Sequence, residues 1–158
     1  PPFSSRRRHT RSLVPSRGLG DVYKRQDYHN YPGPVHYPGI LVTDEEFQNL
    51  PDSLKTVAQS SLGREFNKDI IFEMWLKPIN KAKELGLPLY CGEFGVYHKA
   101  PVEDRLRWYN DVIQLFEEQG IAYANWNYKS SAFGVVDEDG NRFEDLIEVI
   151  VPGPTSSE

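Results

Sequence analysis

Apolar and polar residues follow two different rhythms along this chain, and the switches between them mark out its elements. From Asn67 to Leu85 the residues Ile70, Ile71, Met74, Trp75, Pro78, Ile79 and Ala82 recur at helical spacing and form one stripe. Trp75 lies on that stripe and is expected in the core. Pro78 predicts a kink or a division of the helix, because its ring removes an N–H and crowds the preceding turn. Gly86 is placed to end the helix. Leu106, Tyr109, Ile113 and Phe116 give a second stripe that runs to Gln119. It is opened by Pro101 at the first helical position, with Glu103 and Asp104 in the first turn, and closed by Gly120. Two short apolar runs flank this second helix: Pro88 to Gly95, and Ile121 to Tyr128, the latter broken by Asn125. Runs of this length read as strands buried on both faces, as in parallel sheets. Strand, helix and strand at this spacing predict a parallel βαβ unit.

The flanking segments are more polar. Thr43 as N-cap, followed by Asp44, Glu45 and Glu46, predicts a helix that stops at Pro51. Leu50 to Asn67 reads as a long polar connection with a helical turn near Leu54 to Ala58. Asp137-Glu138-Asp139-Gly140-Asn141 reads as a hairpin-like turn. A calcium loop would need acids at alternate positions, with the glycine and the last glutamate at fixed places that these residues do not match. Glu144 to Val151 predicts a short amphipathic helix with Leu146, Ile147 and Ile150 inward, and residues 152–158 a disordered tail. Residues 1–26 cluster Ser, Arg and Gly without a sustained apolar period. Their last part, Ser16 to Gln26, resembles an in-frame translation of a sequencing adapter. Residues 1–26 are therefore expected to be a disordered, non-native leader, and 27–151 the folded domain. The alternative is a basic arm for an acidic partner.

Composition narrows the function classes. Of the 18 basic and 23 acidic residues, Arg6, Arg7, Arg8, Arg11, Arg17, Lys24, Arg25 and Asp21 fall in 1–26, which leaves 11 basic and 22 acidic residues in the remainder. A segment near −11 is a poor match for nucleic acid or an anionic membrane surface and suits a neutral polymer. No apolar run approaches the roughly 20 residues of a membrane span, and no apolar signal segment opens the chain. The single cysteine, Cys91, excludes an internal disulfide. His29 and His36 without a third ligand do not make a metal site, so neither a metal nor another cofactor is expected.

The candidate chemistry centres on Glu93, the one carboxylate in the first apolar run. An acid at the end of a buried strand must be hydrogen-bonded or in use, and strand ends are where barrel enzymes keep their catalytic groups. The plainer reading is a solvated glutamate at a strand exit. Three pieces of sequence choose between these. Tyr90-Cys91-Gly92-Glu93-Phe94-Gly95 resembles the nucleophile strand of glycoside hydrolase family 5, the retaining cellulases and related β-glycanases. Tyr28-His29-Asn30-Tyr31 resembles that family's His-x-Tyr strand. Ala124-Asn125-Trp126-Asn127-Tyr128-Lys129, followed by Phe133-Gly134-Val135-Val136, resembles its tryptophan-bearing last strand. They occur in the family's order.

The resemblance implies an α/β fold: the C-terminal portion, about the last three βα units, of a (β/α)8 TIM barrel. With 158 residues the barrel is incomplete, since a whole one takes about 250. It implies Glu93 as nucleophile, with His29 and Tyr31 orienting or hydrogen-bonding the nucleophile and substrate. Trp126 would stack on a pyranose ring, Asn125 and Lys129 would supply rim hydrogen bonds, and Tyr97 and His98 would border the site. The family's acid/base glutamate follows an asparagine on an earlier strand, and no Asn-Glu pair occurs in this sequence. The expected whole enzyme is a monomeric retaining endo-β-glycanase acting on cellulose-type polysaccharide or oligosaccharide, outside the cell or in the periplasm. The chain by itself is expected to be inactive and only marginally folded. The alternatives are a mannanase or xylanase of the same superfamily, or a non-catalytic carbohydrate-binding fragment that uses Trp126, Tyr128, Tyr97 and Trp75 as a platform.

Overall fold

The computed structural model describes residues 36–98, 100–129 and 133–151. The predicted leader 1–26, the tail 152–158 and the strand bearing His29 and Tyr31 lie outside the described residues. The elements in chain order are β1 (Gly39–Ile40), α1 (Asp44–Asn49), α2 (Asp52–Ala58), a 3₁₀ turn (Gln59–Ser61), β2 (Glu65–Phe66), α3 (Lys68–Leu85), β3 (Tyr90–Phe94), α4 (Val102–Gln119), β4 (Ala122–Asn125) and α5 (Glu144–Ile150). β1 and β2 pair antiparallel. β3 and β4 pair parallel across α4, which is the βαβ unit expected from the spacing. The fold is α/β, with α4 packed against both α3 and α5. Among the described residues no helix is long and apolar enough to cross a membrane.

Local chemistry explains most of the boundaries. Thr43 closes a capping box: its side chain accepts the Glu46 N–H, and the Glu46 carboxylate accepts the Thr43 N–H at 2.7 Å. Asn67 caps α3 by accepting the Ile70 N–H at 3.0 Å. Gly86 (φ 60°) and Gly120 (φ 63°) end α3 and α4 in the left-handed region, a backbone conformation that costs an L side chain strain even though the space around both is open. Pro101 caps α4 from one position before the expected one.

Four expectations are corrected or extended. In the stretch from Leu50 to Asn67 the expected helical turn is present as α2, but the stretch also holds the 3₁₀ turn and β2, which were not expected. Its anchors, Leu50, Ala58 and Phe66, are buried, but their spacing is too irregular to show a period. Pro78 does not divide α3, which runs through it as one helix. Trp75 and Ile79 are buried on either side of it, and Trp75 stacks on Phe116 of α4 at 4.9 Å, so packing outweighs one lost hydrogen bond. β3 is not covered on both faces. Cys91 and Phe94 are buried but Tyr90 is 55% exposed, because among the described residues β3 has only β4 beside it. The second strand also ends at Asn125, short of Tyr128.

The two glycines that flank Glu93 differ sharply in what surrounds them. A Cβ on Gly95 would lie 2.4 Å from the Trp126 carbonyl oxygen, a backbone atom with little room to yield, whereas one on Gly92 would meet only the Tyr90 ring at 3.6 Å. Gly95→Ala should therefore lower stability by about 1–3 kcal/mol, and Gly92→Ala should change it by less than about 0.5 kcal/mol. Urea midpoints of the two variants check this; equal losses would show that the close approach at Gly95 is not what selects glycine.

Candidate functional site at the exits of two parallel strands

The register of the parallel pair places Glu93. Tyr90 pairs with Ala122, Cys91 with Tyr123 and Phe94 with Asn125, so three steps along β3 match two along β4. One extra residue is inserted in β3, a β-bulge. Without it, Cys91 and Glu93 would share a face. With it, Cys91 and Phe94 both face the helices while Gly92 and Glu93 are exposed. Phe94 is the reason: its ring meets Tyr109 at 5.7 Å, Phe116 at 5.1 Å and Tyr123 at 5.4 Å, each edge to face. The Cys91 thiol spans the bulge and donates to the Glu93 carbonyl, 3.3 Å away. Burial pushes that thiol up, so it acts as a donor and not as a reactive thiolate. The outcome is a carboxylate presented at the exit of β3, the use to which bulges near functional sites are commonly put.

The exit of β4 is tied to that of β3. Beyond the last paired residue, the Trp126 N–H donates to the Phe94 carbonyl at 2.8 Å. The Trp126 side chain is half exposed, and the Trp126–Asn127 peptide is cis. Behind both exits lies Tyr109 of α4, fully buried. Its hydroxyl donates to Asn125 Oδ1 at 3.0 Å and accepts the Val96 N–H at 3.2 Å. Burial pushes the Tyr109 hydroxyl up to about 12. The chain then folds back on itself. The Asn127 N–H donates to Phe133 and the Val136 N–H to Tyr128, and Asp137 and Asn141 close a turn by mutual main-chain and side-chain bonds. This is the hairpin-like turn expected there.

Glu93, Asn125 and Trp126 are thus brought together at adjacent exits. Lys129 lies further along, exposed, in a bridge with Val136. Tyr97 is not at an open rim: it is buried, with its ring 4.8 Å from His98 and 5.9 Å from Phe133. His98 is partly buried, and its carbonyl accepts from Arg105 at 3.4 Å. Trp75 is buried as well, so of the four aromatics in the platform alternative only Trp126 and Tyr128 are exposed. His29 and Tyr31 lie outside the described residues. Reading the stripe on α4 missed Tyr109 as a site residue. The available signal was a phenol on an apolar face, since a buried tyrosine hydroxyl needs a partner. Among the described residues no group of three or more His, Cys, Asp or Glu side chains converges as a metal site.

No family model matches the chain. Over 106 residues it is 37% identical to endoglucanase C of Acetivibrio thermocellus, a match covering 66% of this chain and 30% of that protein. Over 86 residues it is 36% identical to cellodextrinase A of Ruminococcus flavefaciens, covering 54% of this chain and 26% of that protein. Among solved structures it is similar to endoglucanase Cel5A from the hyperthermophilic Thermotoga maritima. The TM-score is 0.51 at 27% identity, over 73% of this chain and 38% of that one. The chain spans less than a third of the length of these curated relatives.

Burial also pushes Tyr37 up, helped by the adjacent Asp111 carboxylate that accepts its hydroxyl at 2.6 Å. A tyrosine whose folded value lies above its unfolded value of about 10 adds stability that is complete below pH 10. That stability is lost as pH rises through the folded value. The urea midpoint should therefore fall from about pH 10 upward. Tyr109→Phe should flatten the part of that fall between about 10 and about 12, by on the order of 2 kcal/mol. An identical alkaline slope in parent and variant would contradict this.

Proposed function

We propose that this chain, a cellulase-like segment of glycoside hydrolase family 5, comes from a retaining endo-β-glycanase acting on cellulose-type β-glucan and carries its nucleophile, Glu93. The observation that carries the reading is the bulge. It takes Glu93 out of the helix-facing layer and sets it on the exposed side, one strand away from the half-exposed Trp126. The names of the similar proteins, endoglucanase C and cellodextrinase A, support the substrate class.

In this mechanism the Glu93 carboxylate attacks the anomeric carbon and forms a glycosyl ester. A second carboxylic acid, about 5 to 5.5 Å away, protonates the departing oxygen. The second group then takes a proton from water, the water oxygen attacks the same carbon, and the Glu93 carboxylate leaves. Trp126 offers a rigid apolar face against a pyranose ring. Asn125, whose carbonyl oxygen is occupied by Tyr109, has its amide N–H groups to give to a sugar hydroxyl. His29, Tyr31, Lys129 and His98 are proposed as further polar groups around the sugar. The chain has no Asn-Glu pair to supply the acid/base, and one carboxylate cannot do both jobs, so the chain alone is inactive.

Residues 27–151, which include the βαβ unit and α5, are then the C-terminal part of a (β/α)8 barrel whose other strands would cover the bare face of β3. The whole protein is read as a monomer that works outside the cell or in the periplasm, where a polymeric substrate is met.

A hybrid tests this: residues 27–151 replace the matching segment of Acetivibrio thermocellus endoglucanase C. It should hydrolyse soluble cellulose derivatives, and Glu93→Gln should lower kcat/KM by at least about a thousandfold. A folded hybrid that keeps its activity without Glu93 would remove the nucleophile assignment. Hydrolysis by the chain alone, abolished by Glu93→Gln, would overturn the claim that a second carboxylate is missing.

A further inference from the structure

We infer that Tyr109 is a positioning residue that fixes the distance between the nucleophile strand and the tryptophan strand. The inference rests on the reading of Glu93 as nucleophile. One hydroxyl, on a helix behind the sheet, bonds to both strand exits: to the Val96 N–H, three residues past Glu93, and to Asn125 Oδ1, one residue before Trp126. The same ring is edge-on to Phe94, the residue next to Glu93. It is also held by Trp108, whose ring lies 5.2 Å away, and it is fully buried. Its position is therefore set by the core and not by solvent. The exits are also joined directly, by the Trp126 N–H donating to the Phe94 carbonyl. Past the last paired residues, Phe94 and Asn125, the Tyr109 hydroxyl adds a link from behind the sheet that bears on the tilt of the two exits.

Loss of the hydroxyl would leave a buried N–H and a side-chain carbonyl without their partner, and both exits would relax toward other acceptors and donors. The chemistry is sensitive to that. Attack on an anomeric carbon requires the carboxylate oxygen in line with a sugar held against the tryptophan face, and a misplacement near 1 Å can cost on the order of a hundredfold. A role of this kind acts on the transition state more than on ground-state binding, so it lowers kcat and leaves KM nearly unchanged.

The experiment uses the same hybrid enzyme. Competent sites are counted by the burst of phenol released from a slowly turned-over fluorosugar aryl cellobioside, so that unfolded protein does not enter the rate. Tyr109→Phe should reduce kcat per competent site by about tenfold with KM within about twofold. The same variant in an Asn125→Ala background should add little more, because both cut one link. Per-site kcat within about twofold of the parent, whether or not thermal stability falls, overturns the proposal and leaves Tyr109 a core residue. If Tyr109→Phe does not fold, Asn125→Ala is read alone: a fall in per-site kcat supports the link, and a rise in KM alone means a rim hydrogen bond and overturns it. Glu93→Gln runs in parallel. If it stays active the nucleophile reading fails, and this inference fails with it by a separate result; if it is dead while Tyr109→Phe is normal, only the positioning role fails.

Discussion

The burial of Phe94 is the constraint on which the rest of the site depends. A phenylalanine taken out of water contributes about 1.5–3 kcal/mol, and each well-placed aromatic neighbour adds about 0.5–1.5 kcal/mol. Cys91 is buried too. In a regular strand those two residues would lie on opposite faces, and Glu93 would follow Cys91 into an apolar layer where a lone carboxylate is costly. The inserted residue resolves the conflict. Both side chains enter the core, Glu93 goes to the open side, and the carbonyl of the displaced residue is met by the Cys91 thiol. The aromatic face of α4, the close approach at Gly95 and the bond from Trp126 to Phe94 all follow from holding that ring in place.

The larger elements were legible because each carries its own periodicity. α3 and α4 bury Ile71, Trp75, Ile79, Tyr109, Ile113 and Phe116, which repeat every three or four residues, and their ends are marked by Asn67, Gly86 and Gly120. The helix at Asp44 was readable from Thr43 and the three acids that follow. α2 was readable only as a helical turn and β2 not at all, since they are short and are anchored by Leu50, Ala58 and Phe66 in the core. The candidate site was legible as a motif, not as a geometry. Glu93, Asn125 and Trp126 could be picked out from their neighbours in sequence. The bulge, the burial of Tyr97 and the double use of the Tyr109 hydroxyl could not, because they depend on how a helix meets two strands. His29 and Tyr31 remain known only as a motif.

The electrostatics of α4 show the same division between exposed and buried groups. Asp104 is buried, and it is met by His36 Nδ1 at 2.9 Å and by Arg107. Arg105 is buried next to it in sequence but faces elsewhere, stacked over the Phe143 ring at 5.2 Å and donating to His98. Its Nε and Nη2 find no partner among the described residues, and burial lowers its pKa. A guanidinium is the cation that tolerates this best, being weakly hydrated and suited to aromatic faces. It joins α5 to the loop after β3 without using a carboxylate.

The contacts of His36 and Tyr37 with α4 bear on how the chain is made. Asp104, Arg107 and Asp111 are separated from them by 68, 70 and 74 residues. A ribosome adding roughly 5–20 residues per second exposes Tyr37 several seconds before its partners exist. During that interval β1 has only its local neighbours to pair with, and its exposed Ile40 is unshielded. Contacts of such separation carry a loop-closure cost that grows only slowly with length but must be met before they give any return. Docking of this segment therefore waits for α4, the element that carries its partners.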